Sequence, residues 1–293
     1  MILKTVAIYS KEGNIKTAEG VSKLTSEFRR RGIKMLIYQK SGEFSKCDKG
    51  SLVECFRGLG ELEDLPDLVL SVGGDGTFLE TSRFVHDSGI PVAGVNTGRM
   101  GFLANISVED ISRSIDMISQ GEYEIIERSL LEVLKPAGLF SDESSIALND
   151  ITIQKADPRM LTINVYEGTN FLNTYWADGL IISTATGSTA YNLSVGGPIL
   201  SPEDESIIIS PISPHNLTVR PIILSGSTVL KLIIEGRSSE YLVTCDFRSE
   251  RIPFKEEIHI GRSADKLKTV MLRGTDFYST LRNKLMWGAD KRN

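Results

Sequence analysis

Apolar and polar positions follow two different rhythms along the 293 residues. Thr5 to Tyr9 is a short apolar run that predicts a strand. Ile15, Val21, Leu24 and Phe28 then fall near helical spacing up to Gly32, a residue suited to the left-handed position that ends a helix. Ile33 to Tyr38 predicts a second strand. After a less regular stretch come a buried strand over Leu68 to Val72, a helix over Phe78 to His86 and a strand over Ile90 to Val95. Ser107 reads as the N-cap of a helix with Ile111, Ile115 and Ile118 inward, stopped by Gly121. Strands alternating with helices predict βαβ units, and so a parallel sheet covered by helices.

From Tyr123 the pattern changes to alternation with period two, as in Leu130 to Leu134, Leu161 to Tyr166, Val229 to Ile234 and Tyr241 to Cys245. Eight of the ten prolines lie from Pro136 onward, which favours short strands and loops over helices. The helical period returns over Asp276 to Trp287, with Gly288 as its stop. The expected fold is therefore an α/β domain, Rossmann-like and parallel, over residues 1–122. An all-β, sandwich-like domain follows over 123–275, and a C-terminal helix within 276–293 packs back on the first domain.

Composition changes this picture little. Apolar residues make up 41% and charged residues 24%, which are globular proportions. A net charge of −5 argues against nucleic acid or an anionic membrane as a partner held by bulk electrostatics. Cys47, Cys55 and Cys245 show no paired spacing, so neither a disulfide framework nor a structural zinc site is expected, and a reducing cytoplasm fits. The start reads as a strand by Thr5 and no run of 18 apolar residues occurs, so neither secretion nor a membrane span is expected. Only His86, His215 and His259 are present, too scattered for a histidine metal centre.

Four segments carry candidate chemistry. Gly73-Gly74-Asp75-Gly76-Thr77 follows a buried strand and opens a helix, so its backbone can approach an anion and the helix N-terminus can receive it. It is neither a Walker A loop nor the dinucleotide fingerprint. A carboxylate among phosphate-binding glycines repels phosphates. Asp75 therefore points to a task such as holding a metal or taking a proton from an attacking hydroxyl, against the plainer reading of a local cap. Asn96 to Leu103 follows the next strand and lies on the same sheet edge. Within Ile146 to Gln154, Asn149 and Asp150 interrupt a strand pattern with adjacent polar groups that face opposite ways, so one is inward and needs a partner. The plainer reading there is a bulge or strand end. Asp178 to Pro198 runs from a strand into a turn rich in Thr, Gly and Ser, where Ser188 or Thr189 is placed to cap a short helix carrying Tyr191 and Ser194. No nucleophile elbow accompanies Ser188, so a hydrolase triad is not indicated.

Taken together, GGDGT (Gly73 to Thr77), Asn96 to Leu103, the Asn149-Asp150 pair and DGLIISTATGSTAYNLSVGGP (Asp178 to Pro198) resemble the NAD kinase family. The last block is the specific one, since GGDGT is shared with lipid and phosphofructo-type kinases. The resemblance implies phosphorylation of the 2′-hydroxyl of the adenosine ribose of NAD, with ATP and a divalent cation such as Mg²⁺ as the usual donor, polyphosphate serving some bacterial members. It also implies a homodimer or homotetramer. By motif, Asp75 would accept the proton, and Gly73, Gly74, Gly76 and Thr77 would receive phosphates. Asp75 and Gly76, with Asn149 and Asp150 gripping the adenosine, would form the NAD site together with Asp178, Thr189, Ala190, Tyr191, Asn192, Leu193 and Ser194, across a subunit interface. Arg159 is carried over as a phosphate contact. His215 falls in a further matching segment, while Trp176 and Arg248 stand where members commonly carry other residues. Aspartate at 150 replaces the usual glutamate, shortening its reach by one methylene. Two other readings share some of these features: a diacylglycerol-type lipid kinase, and a nucleotide-binding regulator without catalysis, against which Asp75 argues.

Overall fold

The computed structural model describes residues 3–11, 15–39, 52–98, 101–140, 144–236, 239–254 and 256–286. The chain forms two compact units, residues 1–127 with 267–293, and residues 128–266.

In the first unit, β1 (Thr5–Ser10), α1 (Ile15–Arg30), β2 (Lys34–Tyr38), β3 (Val53–Phe56), β4 (Leu68–Gly73), α2 (Asp75–Val85), β5 (Val92–Asn96), β6 (Ala104–Ser107) and α3 (Ile111–Gln120) follow in order. The strands pair in parallel in the order β3-β2-β1-β4-β5, with β6 beside β5. Strand order therefore reverses between β1 and β4, and ligands of open α/β sheets bind beyond the strand C-termini at such a point. The loop leaving β4 is Gly73–Thr77. Beneath it Val6, Ile8, Leu70 and Val72 pack against Val21, Leu24 and Phe28 of α1 and Ile111, Ile115 and Ile118 of α3.

The sequence expectations hold for most elements of this unit, with four differences. Ile15 is 88% exposed, because at about 100° per residue it lies opposite the buried stripe of Thr17, Gly20, Val21, Leu24 and Phe28. Helix α2 begins three residues earlier than its apolar period, at Asp75. Ser107 ends a strand instead of capping a helix; Asp110 is the N-cap of α3, tied to Ser107 through the serine hydroxyl. Strands β3 and β6, four residues each, are too short for their period to register. Gly32 and Gly121 do take left-handed conformations at the ends of α1 and α3. Cys55 is disulfide-bonded, although the cysteine spacing indicated no disulfide framework, while Cys245 is free and buried.

Two strands pass from one unit to the other, β7 (Tyr123–Lys135) at the exit from the first and β18 (Ile258–Leu272) on return. Between them lie β8 (Ile146–Ala147), β9 (Asp150–Lys155), β10 (Leu161–Glu167), β11 (Asn170–Ala177), β12 (Gly179–Ser183), the short helix α4 (Tyr191–Ser194), β13 (Ile207–Ile212), β14 (Ile222–Leu224), β15 (Leu230–Glu235), β16 (Glu240–Cys245) and β17 (Arg248–Pro253). One antiparallel sheet runs β14-β13-β12-β9-β16-β17, and a second joins β11, β10, β15 and the first part of β18. Ile151, Ile153, Leu180, Ile182, Ile207 and Ile209 of one sheet share a core with Leu161, Ile163, Val165, Leu230, Leu232 and Ile234 of the other. The alternation with period two thus predicts this unit's inward positions directly. Helix α5 (Phe277–Leu285) ends the described chain on the first unit, with Asp276 as N-cap accepting the Ser279 N–H at 2.8 Å. Gly288, expected as its stop, lies outside the described residues.

Candidate functional site

Asp75 is the first residue of α2, yet its carboxylate caps no helix. Oδ2 accepts the N–H of Phe102 at 3.0 Å, and Oδ1 accepts those of Leu103 and Ala104, each at 3.1 Å. Lys284 of α5 donates to Oδ2 at 3.3 Å, its ammonium lying 4.4 Å above the Phe102 ring. The plainer reading of Asp75 as a local cap is thereby excluded. The segment after β5 instead folds onto Asp75, and a side chain at Gly101 would collide with the carboxylate. Arg99 and Met100, the two central residues of that segment, lie outside the described residues.

The glycines around Asp75 do separate jobs. A Cβ on Gly73 would run into the Thr77 side chain, so glycine there allows Thr77 to tuck in behind β4. Gly74 is the N-cap of α2 and provides no side-chain cap. The N–H groups of Asp75, Gly76 and Thr77 begin the helix and have no acceptor within it, while the Phe78 N–H is already bonded to the Gly74 carbonyl at 3.1 Å. An anion placed here meets free donors and the positive end of the helix dipole.

In the second unit Leu148 and Asn149 separate β8 from β9, so the polar pair marks a strand end. Of the two side chains, Asp150 is the inward one, 5% exposed. Burial, with Asp246 beside it, pushes its carboxyl up to about 7. The Asn149 backbone is held from both sides: its N–H donates to Asp246 at 2.8 Å, and its carbonyl accepts the Thr184 N–H at 2.9 Å. Neither the Asn149 amide nor the Asp150 carboxyl is hydrogen-bonded by another described residue. Two consecutive residues thus keep polar heads that no described residue hydrogen-bonds.

Two of the remaining expected residues, Asp178 and Tyr191, lie at the other end of β9. Asp178, in the turn from β11 to β12, pairs with Lys155 at 2.6 Å, and the Tyr191 hydroxyl accepts from the Gln154 amide at 3.2 Å. Gln154 and Lys155 are four and five residues along the strand from Asp150, about 13–17 Å at the usual rise. One copy therefore presents two separate clusters, Asn149 with Asp150 and Asp178 with Tyr191. Arg159 sits in a tight turn and pairs with Asp157 at 3.1 Å.

Within the Thr186–Ser194 segment, neither Ser188 nor Thr189 caps α4. Ser188 is buried, its hydroxyl accepting the Leu200 N–H at 3.0 Å, and Thr189 bonds back to the Thr186 carbonyl. Asn192 is fully buried. Its amide donates to the carbonyls of Ser188 and Pro198 and accepts the Ser210 hydroxyl at 2.6 Å. The Asn192 side chain is thus committed to holding the loop. Ala190 and Leu193 are part-buried, while Ser194, like Tyr191, faces outward.

The N-terminal domain model of ATP-NAD kinases matches residues 12–123, and the C-terminal domain model matches residues 148–272. The chain belongs to the NAD kinase family. Within it, the NAD kinase of Cytophaga hutchinsonii is 44% identical over 78% of this chain and 78% of its own length. That of Flavobacterium psychrophilum is 37% identical over 98% of this chain and 99% of its own. Among solved structures, a yeast NADH kinase complexed with NADH superposes with a TM-score of 0.84 at 23% identity, covering 99% of this chain and 89% of that one. An Archaeoglobus fulgidus NAD kinase in complex with ATP gives 0.74 at 24% identity, covering 96% and 98%. These two share the fold, and the match to both family domains sets aside the lipid-kinase reading.

Two further residues stand at these clusters without any sequence motif to mark them. Lys284 reaches Asp75 from the C-terminal helix, where a lysine reads as an ordinary solvated charge. Asp246 lies in the two-residue turn between β16 and β17, in a left-handed conformation (φ 54°). The only sequence signal available was a turn-forming aspartate between two alternating runs.

Proposed function

We infer that this chain is an NAD kinase, transferring the γ-phosphoryl group of ATP to the 2′-hydroxyl of the adenosine ribose of NAD to give NADP and ADP. The observation that carries the reading is the combination of both family domains with an Asp75 carboxylate fixed beside the free N–H groups of a helix start. The ribose oxygen attacks the γ-phosphorus, the bond from that phosphorus to the β,γ-bridging oxygen breaks, and ADP leaves with those electrons. Asp75 takes the hydroxyl proton. Gly73, Gly74, Gly76 and Thr77 supply backbone donors to the phosphates, which stabilises charge without covalent chemistry. Asn149 and Asp150 hold the adenosine.

No group of three His, Cys, Asp or Glu side chains that could hold a metal ion occurs among the described residues. These residues do not form a resident metal site. A divalent cation such as Mg²⁺ would come bound to the ATP phosphates and would supply charge neutralisation there. Because Asp178 and Tyr191 lie at the far end of β9 from Asn149, a homodimer or higher homo-oligomer completes the NAD pocket by bringing the Asp178 end of one copy to the Asn149 end of another. No helix among the described residues is long and apolar enough to cross a membrane, and cytoplasmic residence fits a chain acting on these nucleotides.

The test is NADP formation by the purified chain, with ATP and with polyphosphate in turn, beside the variant Asp75→Asn. Loss of turnover by at least about 100-fold, with NAD binding retained by calorimetry, is expected. Turnover of the variant at the wild-type rate removes Asp75 as the proton acceptor, and no NADP from the wild type with either donor overturns the function.

A further inference from the structure

We propose that Asp246 is a positioning residue for NAD, setting the direction in which Asn149 and Asp150 face. The proposal rests on the reading that those two residues grip the adenosine. The Asp246 Oδ2 accepts the N–H of Leu148 at 2.9 Å, and Oδ1 accepts those of Asn149 at 2.8 Å and Asp150 at 3.2 Å. Its own N–H returns to the Asp150 carbonyl at 3.0 Å. One side chain therefore clasps three successive backbone donors at the point where β8 gives way to β9.

The opposite side of the same peptide is held as firmly. Thr184 donates its N–H to the Asn149 carbonyl and its hydroxyl to the Leu148 carbonyl at 2.6 Å, and a side chain at Gly187 would collide with the Asn149 carbonyl. With the main chain fixed on both faces, the Asn149 amide and the Asp150 carboxyl are the only polar groups of the pair left unbonded by the described protein. A buried carboxyl and a part-exposed amide without protein partners, on a backbone that cannot turn away, form a seat for a polar ligand.

Asp246 is costly to keep. The residue is part-exposed, but its carboxyl is desolvated next to a second one, that of Asp150, and beside the Cys245 thiol. Its compensation is the three N–H bonds and the Arg248 guanidinium, which also donates to the carbonyls of Ser144 and Ile146, each at 2.7 Å. A hairpin turn needs no desolvated acid, and asparagine or glycine would suit its left-handed residue equally well. The acid is explained by what it holds.

Asp246→Asn keeps one oxygen for the N–H groups of Asn149 and Asp150 but sets an amide NH₂ against that of Leu148. Asp246→Ala releases all three. Steady-state kinetics on both variants, with Asn149→Ala in parallel and thermal melting as a folding check, separate the possibilities. The expected result is a rise in the KM for NAD of about tenfold or more in Asp246→Ala and a smaller rise in Asp246→Asn, with the KM for ATP unchanged. An unchanged KM for NAD in a folded Asp246→Ala, or equal rises for NAD and ATP, overturns the positioning role. If Asn149→Ala leaves NAD affinity untouched, it is the adenosine reading itself that fails. Should neither Asp246 variant fold, the wild type decides. Protonating the clasp on the acid side of about pH 6, below the range near pH 7 in which Asp150 takes its own proton, should weaken NAD binding but not ATP binding and lower the hydrogen-exchange protection factors of the amides of 148–150, whereas NAD affinity and protection factors that stay constant through that range overturn the role.

Discussion

Replacing Asp150 by asparagine isolates the cost of burying a charge beside Asp246. The Asp150 carboxyl ordinarily ionises near 3.8, and burial together with Asp246 lifts it in the folded chain to about 7. Between those values the folded state binds more protons than the unfolded state. Stability therefore falls as pH rises through this window, and the loss is complete above the folded value. Each pH unit inside the window is worth about 1.4 kcal/mol, so the stretch from about pH 5.5 to 7 costs about 2 kcal/mol. Asparagine has the same shape, does not ionise, and keeps the backbone N–H that Asp246 accepts. Relative to wild type, Asp150→Asn should gain about 2 kcal/mol between about pH 5.5 and pH 8.5, a widening of roughly 4–8 °C in the melting-temperature gap. Thermal melting of both proteins at the two pH values measures it directly. A gap that stays constant, or narrows toward alkaline pH, refutes the claim that Asp150 is buried at the expense of its charge.

Two further predictions concern how the clusters are built. Gly101→Ala places a methyl group on the Asp75 carboxylate; NADP formation should drop by about 100-fold while the melting temperature changes little, and undiminished turnover would show that the contact is not maintained in solution. Asn192→Ala strands the Ser188 and Pro198 carbonyls and the Ser210 hydroxyl, so a stability loss of about 2–4 kcal/mol by denaturant unfolding is expected. An unaltered denaturation midpoint with a raised KM for NAD would return Asn192 to the ligand.

Strands with strong apolar runs were legible from sequence because their side chains settle the matter locally. Leu68 to Val72 and Leu180 to Ser183 are buried on both faces and read as strands without context. Val53–Phe56 and Ala104–Ser107 become strands only because a neighbour in the sheet supplies hydrogen bonds, which no local pattern records. Ile15 shows the converse: apolar and near the expected spacing, yet on the solvent side once the helix phase is fixed by Leu24 and Phe28. At the clusters, the glycines and Asp75 announced themselves through an unusual combination of residue types. Asp246 did not, being 96 residues from the Asp150 N–H it accepts. Nor did Asn192, whose place in the loop became clear only through the carbonyls of Ser188 and Pro198.

The way Asp75 is held has an evolutionary consequence. Its three loop donors, at Phe102, Leu103 and Ala104, are all main-chain N–H groups, so the anchor does not depend on which side chains stand there. Leu103 and Ala104 are buried, so it is at the part-exposed Phe102 that a substitution can reshape the surface beside the carboxylate while its donor stays, and only proline, which lacks the N–H, removes a donor outright. Asp246 grips residues 148–150 in the same way. Aim and fit are thereby separated: the main chain fixes where the acids point, while neighbouring side chains stay free to drift toward a different donor or a different dinucleotide.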